Sequence, residues 1–459
     1  MSDLPKMMMP AQISSIFPKY SPPLSPNKRI KRIKEKQAPG DNPNIISSIV
    51  GRIETLLVTY PIDSTKTCPY DHYLELFDMM DDGERVYCLV TFETEGNSLG
   101  VLNNFLAKLR STYGADRIFP IQMDTNHKLD FWARDSFITV TYDTELGPTT
   151  YLVEPHKDSK TPMLPNILGF AMARSNNPLI AINAPFYFEG GNILVGKDFI
   201  LIGANTIYWN DKYWVNQTAL TQRLKEWFGN KELVFISSKR IEHSTENNPN
   251  IDFNQTILNI KNQYRTYDSD QAINHIDIFI TLGGKDQETG KDILVIGEPC
   301  KSFDYPSDLN MELQKYIDQI IAKTTTSIEN IILNLKEAAI DFIIKRIPLP
   351  LVYHDHLDER NWLWASYNNA ILESSADGNH SKKIWLPSYG QQSDYSSCSR
   401  AGIACGNWTQ TMKPFDESVS NFWKFVMKFD KVTLLKKDYH PFIDSSGSLH
   451  CITNHLKRT

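Results

Sequence analysis

From about residue 51 to the end of the chain, short strand-like runs alternate with helical stretches. No other feature constrains the fold as much. Residues 55–60, 85–91, 117–123 and 137–142 are rich in β-branched and aromatic side chains and predict strands. Residues 98–113 place Leu99, Leu102, Phe105, Leu106 and Leu109 at helical spacing. Runs at 193–195 and 199–202 flank a Gly196-Lys197-Asp198 turn and predict a hairpin. Further strands are predicted at 233–237, 276–282, 343–352, 366–373 and 384–387. Helices are predicted at 218–228, 308–340 and 419–429, the second with Leu313, Ile317, Ile320 and Ile321 on one face. Short βα or ββα units recur without the glycine fingerprint of a dinucleotide site, so the expected class is α/β with repeated units.

Residues 1–50 differ from the rest. Ser-Pro-Pro-Leu-Ser-Pro at 21–26 precedes the basic run Lys28 to Lys34, a composition that predicts a disordered tail. The basic run could also serve in targeting or meet an anionic partner. For the whole chain the net charge of −6 argues against nucleic acid as the main partner. No run of 18 apolar residues predicts a membrane-spanning helix, and the N-terminus lacks the apolar stretch of a secretion signal. Six scattered cysteines, Cys68, Cys88, Cys300, Cys398, Cys405 and Cys451, do not form a secreted disulfide framework. Reduced thiols and an intracellular, cytoplasmic setting are expected.

Four polar constellations carry the candidate chemistry. They are Asp130-Phe131-Trp132-Ala133-Arg134-Asp135, Glu189-Gly190-Gly191-Asn192, His275-Ile276-Asp277 and Gly447-Ser448-Leu449-His450-Cys451. Each has a bland reading when taken alone: a structural ion pair, a turn, a surface pair and a small buried hydrophobe. From them Cys451 supplies a thiol, His275 an imidazole, and Asp135, Glu189 and Asp277 three carboxylates. A thiolate is the nucleophilic form of cysteine, and its acid/base partner could be His275. Asp277, two residues on in a predicted strand, would share a face with His275. A guanidinium is planar, permanently charged and carries five N–H donors, so carboxylates on different sides would fix its plane. Trp132 could stack on that cation or wall the pocket. A metal reading for His354-Asp355-His356, or for Cys398 with Cys405, lacks tight ligand spacing.

In this order the motifs resemble the agmatine deiminase family, which includes bacterial peptidylarginine deiminases, within the pentein or guanidino-group-modifying superfamily. Ile347-Pro348-Leu349-Pro350 and Ala365-Ser366-Tyr367-Asn368-Asn369 match two further family segments. The match runs from about residue 55 to the end. The resemblance implies one catalytic domain over 51–459, a pseudo-fivefold α/β propeller of ββαβ units. Insertions are expected near 155–180, 240–270 and 300–340. It implies Cys451 as nucleophile, His275 as general acid/base, Asp135 and Asp277 on the guanidinium nitrogens, and Glu189 supporting His275 or the guanidinium. Asp130, Trp132 and Asn192 would complete substrate binding.

The implied reaction is hydrolytic deimination through a thiouronium on Cys451, with no metal or organic cofactor. The implied partner is a small guanidine, agmatine first. Peptidyl arginine is the alternative, followed by free arginine, amidinotransfer or a non-catalytic binding role. An oligomer is compatible with the sequence. The chain departs from the family pattern at Ser136-Phe137, where Thr-Gly-Pro is usual, and at Asp444 to Ser448, where glycines are usual. Both departures bear on which substrate is taken.

Overall fold

A computed structural model describes residues 37–60, 70–92, 97–123, 132–156, 179–212, 217–238, 273, 275–302, 311–338, 340–356, 359–374, 381–390, 405–439 and 447–459. The described strands form five sheets. In the first, β1 (Asp41–Ile45), β5 (Ile138–Thr144), β6 (Gly147–Glu154) and β7 (Leu179–Asn183) lie in that order. The second contains β8 (Ile193–Val195), β9 (Phe199–Gly203) and β10 (Glu232–Ile236). The third is β11 (Ile280–Lys285), β12 (Asp292–Lys301), β13 (Ile343–His356) and β14 (Glu359–Trp364). The fourth is β15 (Ile371–Glu373), β16 (Lys383–Ser388) and β17 (Lys431–Asp438). The fifth joins the two ends of the chain, as β18 (Thr453–Arg458) pairs antiparallel with β2 (Ile53–Tyr60), followed by β3 (Val86–Phe92) and β4 (Ile118–Met123).

One pairing rule recurs. Each sheet contains an antiparallel pair followed by a parallel neighbour, as in β8–β9 then β9–β10, β11–β12 then β12–β13, and β15–β16 then β16–β17. Parallel neighbours need a crossover, and among the described residues of the second to fifth sheets helices supply it. They are α1 (Tyr70–Met80) and α2 (Asn97–Tyr113) in the fifth sheet, and α3 (Ala204–Lys212) and α4 (Gln217–Phe228) in the second. α5 (Met311–Lys336) serves the third sheet and α6 (Cys405–Asn421) the fourth. The central strands are buried on both faces and read as continuous apolar runs, such as Phe-Ile-Leu-Ile in β9. Two apolar clusters result, one shared by sheets two to five and one built on Trp227, Phe228 and the first two sheets.

Four sequence expectations need correction. Residues 41–45, placed in a disordered tail, form β1 and pair with β5; residues 1–36 lie outside the described residues. The run at 276–282 is not one strand. Ile276–Ile278 makes a 3₁₀ turn before β11, because Ile276 N–H is captured by Asn192 Oδ1 at 3.2 Å. The run at 366–373 yields only β15, since Ser366 to Ala370 turn around buried side-chain bonds. The helix predicted at 419–429 is the end of α6, continued by a π-helical turn over Phe422–Val426. Of the expected insertions, residues 157–178 and 239–270 lie outside the described residues, and 300–340 contains α5. Among the described residues no helix is long and apolar enough to cross a membrane.

Candidate active site

The chain passes from one sheet to another six times, and each of the five passages after the first, which runs over 46–52 from β1 to β2, carries site residues. Ala133–Ser136 is a 3₁₀ turn between β4 and β5, Gly190–Asn192 another between β7 and β8, and Ile276–Ile278 a third between β10 and β11. The Ser366–Ala370 turn enters β15 and the Gly447–Ile452 turn enters β18. Cys451, His275, Glu189, Asp135 and Asp277 therefore converge from four of the five passages.

His275 lies between two carboxylates. Its Nε2 is 2.6 Å from Glu189 Oε2, and its Nδ1 is 3.8 Å from Asp135 Oδ1. Burial alone would lower its pKa, but Asp135, Glu189 and a hydrogen bond with Cys451 hold it well above the usual imidazole value. Asp135 Oδ1 accepts from Gly191 N–H at 2.8 Å, and burial raises this carboxyl to about 6. Burial also acts to raise Glu189, but His275 and the Tyr187 hydroxyl outweigh it and keep it low. Asp277 sits on the other side of the thiol, its Oδ2 3.4 Å from Cys451 Sγ and 2.8 Å from His450 Nδ1. Burial would raise Asp277 too, but His450, His275 and Arg134 hold it below its ordinary value. Cys451 is 3% exposed, and burial followed by the Asp277 charge pushes its thiol up to about 12. The pocket is thus acidic around a protonated thiol, an environment that suits a cation.

The glycines of Glu-Gly-Gly-Asn have separate spatial reasons. A Cβ on Gly190 would lie 2.0 Å from the carbonyl oxygen of Arg134. A Cβ on Gly191 would lie 2.7 Å from His275 Nδ1 and 3.1 Å from an Asp277 carboxylate oxygen. Only glycine allows the two turns to pack this closely. Gly447 is similar, because a Cβ there would fall 2.2 Å from the Trp132 ring. Trp132 therefore walls the site against the Gly447 backbone.

The structure brings Cys451, His275, Glu189, Asp135 and Asp277 together, with Asn192 beside them. Asn192, expected on the substrate, is 1% exposed, accepts from Ile276 N–H and donates to Thr206 Oγ1 at 3.3 Å. It positions the His275–Asp277 turn instead. His275 and Asp277 do not share a strand face; the 3₁₀ turn sets them on two sides of Cys451. Asp130 lies outside the described residues, as do Cys398 and the side chains of His354, Asp355, His356 and Cys405. Asn369 carried no assigned role in the sequence, yet its Nδ2 lies 3.0 Å from Cys451 Sγ and its Oδ1 accepts from Cys451 N–H at 3.0 Å. Its place in the Ala-Ser-Tyr-Asn-Asn segment, just before a strand, was the available signal.

No protein-family model matches the sequence, and no curated protein matches it either. Solved structures do. A protein assigned as an agmatine deiminase from S. mutans superposes with a TM-score of 0.55 at 12% identity, over 91% of this chain and 96% of its own. The agmatine deiminase of C. jejuni gives a TM-score of 0.49 at 15% identity, over 91% and 97%. A dimethylarginine dimethylaminohydrolase gives 0.30 at 11% identity, over 88% and 99%. These neighbours are pentein-fold enzymes. At such identity the first superposition speaks for the fold and nothing finer, and in fold this chain resembles the agmatine deiminases.

Proposed function

We propose that this protein hydrolyses a guanidinium group through a covalent intermediate on Cys451, with agmatine as substrate. The observation that carries the reading is the placement of Cys451 Sγ between His275 on one side and Asp277 on the other, in a pocket whose facing carboxylates are Asp135, Glu189 and Asp277. We read 41–459, which includes β1, as one catalytic domain whose five sheets close pseudo-fivefold around this pocket.

The steps follow from the electrostatics. Asp135 and Asp277 take the guanidinium N–H groups, and the cation's charge stabilises the Cys451 thiolate, whose proton passes to solvent and is taken up there by the ammonia released below. The sulfur attacks the guanidinium carbon and a C–S bond forms. His275, kept protonated by Glu189 and Asp135, gives its proton to the leaving nitrogen. The C–N bond breaks and ammonia leaves, with a thiouronium remaining on Cys451. Neutral His275 then takes a proton from water, hydroxide adds to the same carbon, and collapse breaks the C–S bond. The sum is guanidinium plus water giving a ureido product plus ammonium. Asn369 holds the Cys451 main chain and sulfur in place throughout.

Agmatine is favoured over free arginine by charge. Among the described residues at the site, Arg134 is turned toward His450 and Asn454, and the facing groups are acidic. An α-carboxylate would meet no cation there, whereas a second amine suits an acidic pocket. The test is ammonia release from wild type and Cys451→Ala, offered agmatine, arginine and an internal-arginine peptide, with the product identified by mass. Cys451-dependent release from agmatine alone is expected. Release from the peptide alone would replace the substrate, and no release from folded protein with any of the three would overturn the reading.

A further inference from the structure

Behind the carboxylate that flanks the thiol lies a buried chain of side chains to which the reaction above gives no role. We propose that Arg134 and His450 form a tautomer lock, which holds Asp277 ionised and turned so that its Oδ1 faces an incoming guanidinium. This deepens the guanidine-hydrolase reading and rests on it for its catalytic meaning.

Hydrogen-bond roles fix the lock. His450 Nδ1 lies 2.8 Å from Asp277 Oδ2, and an ionised carboxylate only accepts, so Nδ1 carries the proton. The other ring nitrogen, Nε2, meets Arg134 Nη2. A guanidinium has no acceptor, so Nε2 carries none. His450 is therefore the neutral Nδ1–H tautomer, chosen by the arginine on one side and confirmed by the carboxylate on the other. Protonating Nε2 would set N–H against N–H in a site where His450 is only 6% exposed. Burial first, and then Arg134, bring the imidazole down to about 4, against the opposing pull of Asp277. Arg134 is itself fixed. Its Nη1 donates to Asn454 Oδ1 at 3.2 Å, and Asn454 Nδ2 reaches the carbonyls of Ala133 and Phe137 at 3.2 and 3.1 Å.

The consequence appears at the far oxygen. Asp277 Oδ2 is occupied by His450 and lies beside the thiol, while buried Oδ1 has no hydrogen-bond partner. A buried acceptor left unpaired is destabilising, and a guanidinium N–H would satisfy it. The charged and titratable groups around Asp277 are His275 on its own turn, Arg134 and Asp135 on the turn before β5, and His450 and Cys451 on the turn before β18. Arg458 on β18 also bears on His450. Of these, beside the weak Cys451 S–H at 3.4 Å on the same oxygen, the His450 N–H at 2.8 Å is the stronger donor to the carboxylate. Without it, burial and the neighbouring acids would raise Asp277, and the carboxylate would gain a proton at higher pH.

Two measurements test the lock. In ¹⁵N spectra of ring-labelled histidine, one resonance pair should keep the neutral Nδ1–H pattern from about pH 8 to pH 5, and it should vanish in His450→Asn. An Nε2–H pattern, or titration near the ordinary imidazole value, would overturn the proposal whether or not any guanidine is hydrolysed. A wild type without hydrolase activity would count against the proposed function alone. The second measurement compares His450→Leu, which removes the donor, with His450→Asn, whose amide N–H can take the place of Nδ1–H. The leucine variant should raise KM by about tenfold or more and move the acid limb of kcat/KM up by about one pH unit, with asparagine restoring most of both. Equal losses in both folded variants with an unmoved acid limb would reduce His450 to a packing role.

Discussion

A cationic alkylating agent should modify Cys451 about a thousandfold faster than its neutral isostere. The perturbation is a single charge on the reagent, chloroacetamidine in place of chloroacetamide. Burial and the Asp277 carboxylate, 3.4 Å from the sulfur, push the thiol up to about 12. At pH 7 that leaves about one Cys451 in 10⁵ as thiolate. A cation about 4 Å from the sulfur, at an effective dielectric of about 20, favours the thiolate by roughly 4 kcal/mol. That energy is about three pKa units, so the thiolate fraction rises to about 1% when the cation is seated. The assay is peptide mass spectrometry of the adduct over time at pH 7, with each reagent's rate normalised to its rate on glutathione. Cys88, which burial raises to about 12, serves as an internal control. It should show no preference for the cation. Equal normalised rates at Cys451, or neutral alkylation as fast as that of glutathione, would mean that the thiolate already exists in the empty pocket. The acidic surroundings would then not set its reactivity.

Three further outcomes follow from the same geometry. Glu189→Gln removes one of the two charges that raise His275, so His275 loses its proton at lower pH. The basic limb of the rate profile should fall by about one unit or more, and an unmoved limb would count against His275 as the proton donor. Gly191→Ala places a methyl 2.7 Å from His275 Nδ1, so kcat should drop by about 100-fold or more while thermal unfolding shows a folded protein; near-normal kcat would show that the turns can move apart. Arg85→Met should destabilise by about 3 kcal/mol in denaturant unfolding, because Arg85 is fully buried and pairs at 2.6 Å with Glu373, which would keep only the Ile53 N–H and the field of Arg458. The folded fraction should keep its activity, since this pair lies away from the thiol.

The legible parts of the sequence were those that repeat a local physical rule. The hairpin of β8 and β9 was readable from Gly196-Lys197-Asp198 between apolar runs, and α2 from five apolar residues at helical spacing. The errors fall where a distant side chain overrides local preference. Ile276 reads as strand, but Asn192, 84 residues earlier, captures its N–H and bends the chain into a turn. Asn44 and Ile45 sit in a stretch of weak local signal, and they are strand only because β5 offers them an edge. The same holds for the site. Its charged residues stand out by type, whereas Asn369 and His450 are ordinary polar residues until the fold sets them against Cys451 and Asp277.

The placement of these residues has a topological cause. Asp135 precedes β5 by three positions, Asp277 precedes β11 by three, and Asn369 and Cys451 precede β15 and β18 by two. Gly191 and Asn192 run directly into β8. Each sheet thus begins just after the passage that carries its site residue, so the strand that anchors the sheet also fixes the residue. A cation gripped from several directions needs groups from several elements, and this connection pattern supplies them from five passages. It also separates two kinds of change. Substitutions in the helices act on how well the sheets are covered, which alters stability. A shift of one residue at any passage moves a catalytic side chain out of reach, because the turn that holds it is closed by contacts from the neighbouring passage. The fold can therefore persist at 12% identity to a solved structure while the candidate site rests on a few residues at the strand starts.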